Sequence, residues 1–301
     1  MRIATVDIGT NSTRLLIAEV ENGEVKPVLK VGKVTKLGKG VRETRKLSEE
    51  SIERTLSVLR EFKELIEKYG AEKVIAVTTE AARLAENADE FLKKVKELGI
   101  ELSVLSDREE AELVFRANVS AFKPKGYAMT VDLGGGSTEI VYGTAEKIEY
   151  LESLKFGVVF LSEKFLKSDP PKREELSALE EFVRRELLKV IPYVTSPFEV
   201  YAVGGTITSV VAMEEEMEVY RPEIVHGYKV RKEVIEKWYE KLTGMTVEER
   251  KRVKGLEENR ADVIVPGLAF FKVFCEVFNR EYLTVSELGL LYGLALREAK
   301  G

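Results

Sequence analysis

The chain has 301 residues, 44% of them hydrophobic and 33% charged, which is enough apolar material for two domains with cores of their own. The single cysteine, Cys275, excludes a disulfide framework within one chain, and the net charge of -5 gives no support to a nucleic-acid partner, because such proteins usually carry a basic surplus. No stretch approaches the ~20 apolar residues of a membrane span. The longest apolar run, residues 263–274, is broken by Pro266, Gly267 and Lys272, and no apolar run of signal length precedes Asp7 and Asn11. The expectation is a soluble cytoplasmic protein with no membrane partner.

In chain order, residues 2–8 and 13–20 predict two strands joined by a Gly-Thr-Asn-Ser turn, and residues 24–38 predict more strand, rich in lysine. Residues 48–69 predict an amphipathic helix with Ser48 as N-cap, Glu49 and Glu50 in the first turn, and Gly70 at its end. A strand near 73–78, helical segments to residue 98, a strand near 100–105 and a helix to about 121 complete the order βββ-α-β-α-β-α. The same order then restarts. Strands 127–132 and 137–143 flank a triple glycine, and a third strand covers 147–154. A helix near 175–190, a strand at 199–203, further helices, a strand at 281–285 and a last helix to residue 299 follow.

The connection Phe122-Lys123-Pro124-Lys125-Gly126 carries helix-breaking chemistry between the two patterns. The expectation is a duplication: a first lobe at 1–122 and a second at 123–301, with the last helix free to pack back on the first lobe. Their matching acid-Gly turns, at Asp7 and at Asp132, would face each other across an interlobe cleft.

Three glycine turns carry the chemistry. The first runs from Asp7 through Gly9, Thr10, Asn11 and Ser12 to Arg14. Its backbone N–H groups suit phosphate oxygens, and Arg14 can add a bidentate contact. The second is Asp132-Leu133-Gly134-Gly135-Gly136-Ser137-Thr138-Glu139. Three consecutive glycines are costly to order, so they point to close backbone approach by a ligand. Glu139 is placed to share a cation or water with Asp132. The third, Gly204-Gly205-Thr206, follows a strand and opens a helix, where anions bind well.

Together these turns resemble the phosphate-binding motifs of the actin-like ATPase superfamily. DIGTNSTRLL (7–16) with DLGGGSTEIV (132–141) more narrowly resembles the exopolyphosphatase / guanosine pentaphosphate phosphohydrolase family, in its short form without a C-terminal helical domain. VTTEAAR (77–83), LSDREEAELVF (105–115), YAVGGTITS (201–209), VHGY (225–228) and RADVIVPG (260–267) extend the resemblance over nearly the whole chain. It implies an α/β fold of duplicated ribonuclease-H-like (actin-like) lobes, each a mixed sheet with flanking helices. The implied activity is hydrolysis of the terminal phosphate of polyphosphate, guanosine pentaphosphate, or both, with Mg²⁺ or another divalent cation. A homodimer is left open.

The resemblance places Glu110 as the base acting on water. Ser106 followed by Glu109 reads as a capping box, which occupies Glu109 and leaves Glu110 to face the cleft. The resemblance further puts Arg14 and Arg83 on phosphates and Asp132, Glu139 and Asp7 on the cation or its waters, with Asp7 lining the cleft. Three positions depart from the family pattern: Glu112, Lys39 and Leu291. Cys275 reads as core, and His226, the single histidine, as a packing or cleft residue. The 24–46 segment gathers Lys26, Lys30, Lys33, Lys36, Lys39, Arg42, Arg45 and Lys46 against Glu24 and Glu43. It suits either a polyanion track or a solvated face. Two rival functions stay open: an ATP-using actin-like ATPase or kinase, and a catalytically silent nucleotide sensor.

Overall fold

The computed structural model describes residues 1–300. Its chain divides into two compact units, Met1–Ala117 together with the chain from Leu288 on, and Asn118–Glu287.

The first unit opens with β1 (Arg2–Ile8), β2 (Ser12–Glu21) and β3 (Glu24–Val34), a meander of antiparallel strands. A single turn, α1 (Val41–Thr44), leads into α2 (Glu49–Lys68). There Ser48 caps as expected, its hydroxyl accepting from Ser51 N at 3.1 Å. β4 (Lys73–Thr78), α3 (Glu80–Leu84), α4 (Ala88–Glu97), β5 (Leu102–Val104) and α5 (Asp107–Phe122) follow. The division between units falls inside α5, ahead of the 122–126 connection.

The sheet order is β3-β2-β1-β4-β5, with β4 and β5 parallel to β1. Strand alternation gives this sheet two apolar faces. Ala4, Val6, Ile8, Leu15 and Ile17 pack under α2, which contributes Ile52, Leu56, Leu59, Phe62 and Ile66 at helical spacing. Burial of each such side chain is worth about 1.5–3 kcal/mol relative to exposure.

The second unit repeats the plan with β6 (Tyr127–Leu133), β7 (Thr138–Gly143) and β8 (Ile148–Leu154), then α6 (Val158–Phe165) and α7 (Arg173–Leu188). β9 (Phe198–Val203), α8 (Gly205–Glu214), α9 (Pro222–Val225), β10 (Lys229–Arg231) and α10 (Lys232–Thr243) come next. α11 (Val247–Arg250), α12 (Ile264–Val277) and β11 (Tyr282–Ser286) complete it. The order β8-β7-β6-β9-β11 reproduces that of the first sheet, with β10 added antiparallel at the far edge. β1 and β6 even share the same alternation of burial along their length. α12 is the centre of this core, buried from Ile264 to Phe271, and the chain around Cys275 is as deeply enclosed. Burial pushes the Cys275 thiol up to about 12, which agrees with a core role.

The last helix, α13 (Leu290–Lys300), belongs to the first unit. It covers the second face of that sheet, where Leu291, Ala295 and Leu296 meet Ile3, Leu16, Ala18 and Val20. A side chain at Gly293 would stand 2.6 Å from Leu113 O, so α13 and α5 touch at backbone distance. Leu291 is therefore core, and its carbonyl accepts from Thr5 Oγ1 at 3.0 Å.

Candidate active site

Within the first unit, Asp7, next to last in β1, stands directly opposite Arg14 on β2. The turn between them is closed by Gly9 N donating to Ser12 O at 3.0 Å, and a Cβ on Gly9 would press that same oxygen at 3.1 Å. The chain leaving β3 ties the turn from outside. Thr35 N and Lys36 N donate to Asn11 O, and Gly38 N donates to Thr10 O at 2.9 Å. A Cβ on Gly38 would lie 2.4 Å from the Thr10 methyl, so only glycine lets this strap lie so close. With these carbonyls engaged by the strap, the turn's repulsive oxygens are turned to protein partners and not to an anion. Asn11 Oδ1 and Ser12 Oγ are buried with no hydrogen-bond partner among the described residues.

The second unit builds the same device. Asp132 on β6 faces Glu139 on β7, and Gly134 N donates to Ser137 O at 3.0 Å. The strap here is the chain leaving β8. Val158 N and Val159 N donate to the Gly134 and Gly135 carbonyls at 2.9 Å, and a Cβ on Gly157 would come within 2.4 Å of Gly134 O. Thr138, expected among the phosphate contacts, is 0% exposed and donates its hydroxyl to Phe156 O at 2.7 Å, which makes it part of this frame. Glu139 is 2% exposed and accepts from Ser153 Oγ at 2.8 Å.

The third turn lies beside the second, because β9 runs parallel to β6 with Val203 opposite Asp132. Gly204 sits at φ 110°, and a Cβ there would meet Leu133 O at 2.6 Å. α8 starts at Gly205, with the Arg260 guanidinium lying against that glycine. Thr206 packs against Gly267, where a Cβ would come within 2.2 Å of its hydroxyl. Asp132, the triple glycine and the helix start thus share one end of the second sheet.

Arg83 and Glu110 are brought together in the first unit. Glu110 Oε2 lies 3.5 Å from Arg83 Nη2, Asp107 also pairs with that nitrogen, and Arg83 Nη1 donates to Leu105 O at 2.6 Å. The capping box is present: Ser106 N and Oγ donate to Glu109 Oε2 at 3.1 and 2.7 Å, and Glu109 N donates back to Ser106 Oγ at 3.3 Å. The Ser106 hydroxyl, followed by the Ser106 backbone, holds the Glu109 carboxyl below the usual carboxylate range. Missed by sequence reasoning is Glu80, 4% exposed, which pairs with both Arg42 and Arg83. The Glu-x-x-Arg spacing on α3 was the available signal.

Among the described residues, no group of three His, Cys, Asp or Glu side chains stands ready to hold a metal ion. Mg²⁺ normally binds through one or two carboxylates, with waters and substrate phosphates filling its shell. The facing pair Asp132 and Glu139 fits that donor set. His226 packs: its ring lies 4.8 Å from Phe122 and its Nδ1 accepts from Glu287 N at 3.2 Å. Glu112 pairs with Arg108 on the same helix at 3.0 Å. In the basic segment, Lys33 pairs with Glu61 and Arg42 with Glu80.

The pattern of the Ppx/GppA phosphatase family matches residues 16–300. The chain belongs to this family. It is 34% identical to the bifunctional 3-dehydroquinate synthase/phosphatase of Fusobacterium nucleatum, over 97% of this chain and 46% of that protein. It is 35% identical to exopolyphosphatase 2 of Mycobacterium tuberculosis, over 98% of each. A guanosine-5'-triphosphate,3'-diphosphate pyrophosphatase of Aliivibrio fischeri is 27% identical, over 97% of this chain and 59% of that one. Among solved structures, the Ppx/GppA family member of Aquifex aeolicus superposes with a TM-score of 0.83 at 39% identity, covering 100% of this chain and 98% of the other. The duplicated actin-like fold implied by the three glycine turns is thus the fold of this Ppx/GppA chain. No helix among the described residues is long and apolar enough to cross a membrane.

Proposed function

We propose that this Ppx/GppA protein hydrolyses the terminal phosphate of inorganic polyphosphate, of guanosine pentaphosphate, or of both. The observation that carries the reading is the duplicated turn. Two acid-Gly hairpins have their turn carbonyls held by a strap, and one carries Ser12 Oγ, a hydroxyl able to donate to phosphate, buried with no hydrogen-bond partner among the described residues. The names of the exopolyphosphatase and pyrophosphatase relatives supply the substrate classes.

Phosphoryl transfer asks for positioning and charge neutralisation more than for covalent chemistry. Within the first unit, the backbone of Gly9 to Ser12, with Arg14, holds the terminal phosphate; within the second, the triple glycine with Ser137 and the Gly204–Thr206 helix start have the same suitability for phosphate oxygens. Asp132 and Glu139 would hold a divalent cation, and Asp7 occupies the corresponding position in the first unit. Bound there, Mg²⁺ offsets charge on the phosphates. Glu110 takes a proton from water as the water oxygen attacks the terminal phosphorus. The bridging P–O bond breaks, and the shortened chain leaves with orthophosphate as the second product. Arg83, paired with Glu110, orients this base and is within reach of incoming phosphate charge. The protein works in the cytoplasm.

Phosphate release measured side by side from polyphosphate, guanosine pentaphosphate and ATP, each with Mg²⁺, tests the reading. Release from either of the first two supports it. Turnover confined to ATP points to an actin-like ATPase or kinase, and binding without release points to a nucleotide sensor.

A further inference from the structure

Glu80 stands outside the machinery described so far, yet it is one of the few charged side chains buried in the first unit, at 4% exposure. One oxygen, Oε1, accepts from Arg42, and the other, Oε2, lies 3.5 Å from Arg83 Nη2. That same Arg83 nitrogen lies 3.5 Å from Glu110 Oε2 and also pairs with Asp107. The chain of charges therefore runs Arg42, Glu80, Arg83, Glu110. Its first member follows directly on the strap whose Thr35, Lys36 and Gly38 amides hold the Asn11 and Thr10 carbonyls. A Cβ on Gly38 would also meet Ala81 of α3 at 3.1 Å, so strap and helix lie in contact beside the ion chain. The phosphate turn and the carboxylate that activates water are thus linked by one continuous set of contacts within one unit.

Desolvating a carboxylate is expensive, and apolar residues of similar volume often serve stability as well. What an apolar side chain cannot do is hold a guanidinium in place from one side while a second carboxylate uses it from another. We propose that Glu80 is a positioning residue for the hydrolysis: through Arg83 it sets where the Glu110 carboxylate stands relative to the phosphate turn. The inference rests on the reading of Glu110 as the base. With the charge on Glu80 removed, Arg83 keeps only Asp107 and Glu110 as anionic partners and settles more closely on them. Glu110 is drawn off the line of the attacking water, while the Gly9–Ser12 turn and Arg14, which hold the terminal phosphate, are untouched. Misplacement of a catalytic group lowers turnover without weakening binding.

The test compares Glu80→Gln, Glu110→Gln, the double variant and the parent protein, reading kcat and KM for phosphate release from polyphosphate with Mg²⁺. Melting temperature is followed in parallel. Glu80→Gln is expected to lower kcat about ten-fold with KM held within about two-fold, and to lower kcat no further when added to Glu110→Gln. An unchanged kcat in Glu80→Gln, while Glu110→Gln loses turnover, overturns the role of Glu80 alone. The same holds if KM rises with kcat intact, or if Glu80→Gln costs the same factor with and without Glu110. Near-normal turnover in Glu110→Gln overturns the assignment of the base, and the positioning role with it. Should Glu80→Gln fail to fold, Arg42→Gln carries the same comparison from the half-buried end of the chain. A kcat loss that disappears in the Glu110→Gln background supports the proposal, and any other pattern overturns it.

Discussion

The turn between β1 and β2 and the turn between β6 and β7 close with the same bond, Gly9 N to Ser12 O in one and Gly134 N to Ser137 O in the other, each at 3.0 Å. Each follows an aspartate, and each is strapped from outside by the chain leaving the third strand of its sheet. The difference is the residue facing the aspartate across the hairpin: Arg14 in the first unit, Glu139 in the second. One backbone device therefore serves two electrostatic ends. Beside the first turn a cation is supplied by the protein, which suits an anion. Beside the second the protein supplies a second carboxylate, which on the proposed reading suits a divalent cation. Duplication delivered the geometry twice, and a single side-chain position specialised each copy.

Four experiments break or sharpen this contrast. The largest effect is expected at Glu110, on the unit that carries the arginine. Glu110→Gln should lower turnover by roughly 10² to 10⁴ while substrate still binds, as is typical when a general base is lost. Glu109→Gln should keep its activity, and a reversed pair of results would reassign the base. Next comes the facing residue itself. Arg14→Ala removes a charged hydrogen-bond donor, and such bonds are worth about 1.5–3 kcal/mol, so kcat/KM should fall on the order of ten- to a hundred-fold. Glu139→Gln should instead leave kcat recoverable at saturating Mg²⁺ and raise the Mg²⁺ needed for half activity. If the two variants behave alike in a Mg²⁺ titration, the division of labour between the turns is wrong.

A smaller effect separates the two straps. At Gly157 an added methyl would strike the Gly134 carbonyl, whereas at Gly38 it would strike the Thr10 methyl. Backbone yields less readily than a side chain, so Gly157→Ala should destabilise more than Gly38→Ala, the former by about 1–3 kcal/mol. Chemical denaturation of both variants shows the order. The smallest effect is at the Ser106–Glu109 box. The Glu109 carboxyl is held below its usual range, so its contribution is present above the unfolded carboxylate pKa and is lost as pH falls through the lower folded value. Glu109→Gln should flatten that acid limb of the stability profile and leave neutral pH almost unchanged.

Much of this is legible in the sequence itself. β1 and β4 span the apolar runs at 2–8 and 73–78, and the repeat of the acid-Gly turn announced the duplicated sheets. Ser48 and the Ser106–Glu109 pair read correctly as caps because capping is a local bargain between residues three apart. What stayed hidden depends on residues distant in the chain. Residues 35–38 looked like more of β3, because nothing nearby tells a strap from a strand; β3 ends at Val34, where the chain leaves to bind the turn. α6 and the short β10 carry no pattern of their own in the sequence. Thr138 looked like a ligand group, yet its hydroxyl is given to Phe156 O, a partner the sequence does not point to. The motif around Arg83 implies a phosphate contact, and its pairing with Glu80, Asp107 and Glu110 depends on α3 and α5 lying side by side.

β3 has one more consequence. It is an edge strand, with no further strand beyond it among the described residues, and such edges invite a second chain to add itself to the sheet. This one bears Pro27, an irregularity in register where it passes Ile17 and Ala18, and exposed lysines at Lys26, Lys30 and Lys33. Proline withholds a donor, the irregularity spoils the fit, and the lysines repel a like copy. The charges that look suited to a polyanion therefore also guard the molecule against aggregation, and a variant stripped of them would lose solubility even where its chemistry survived.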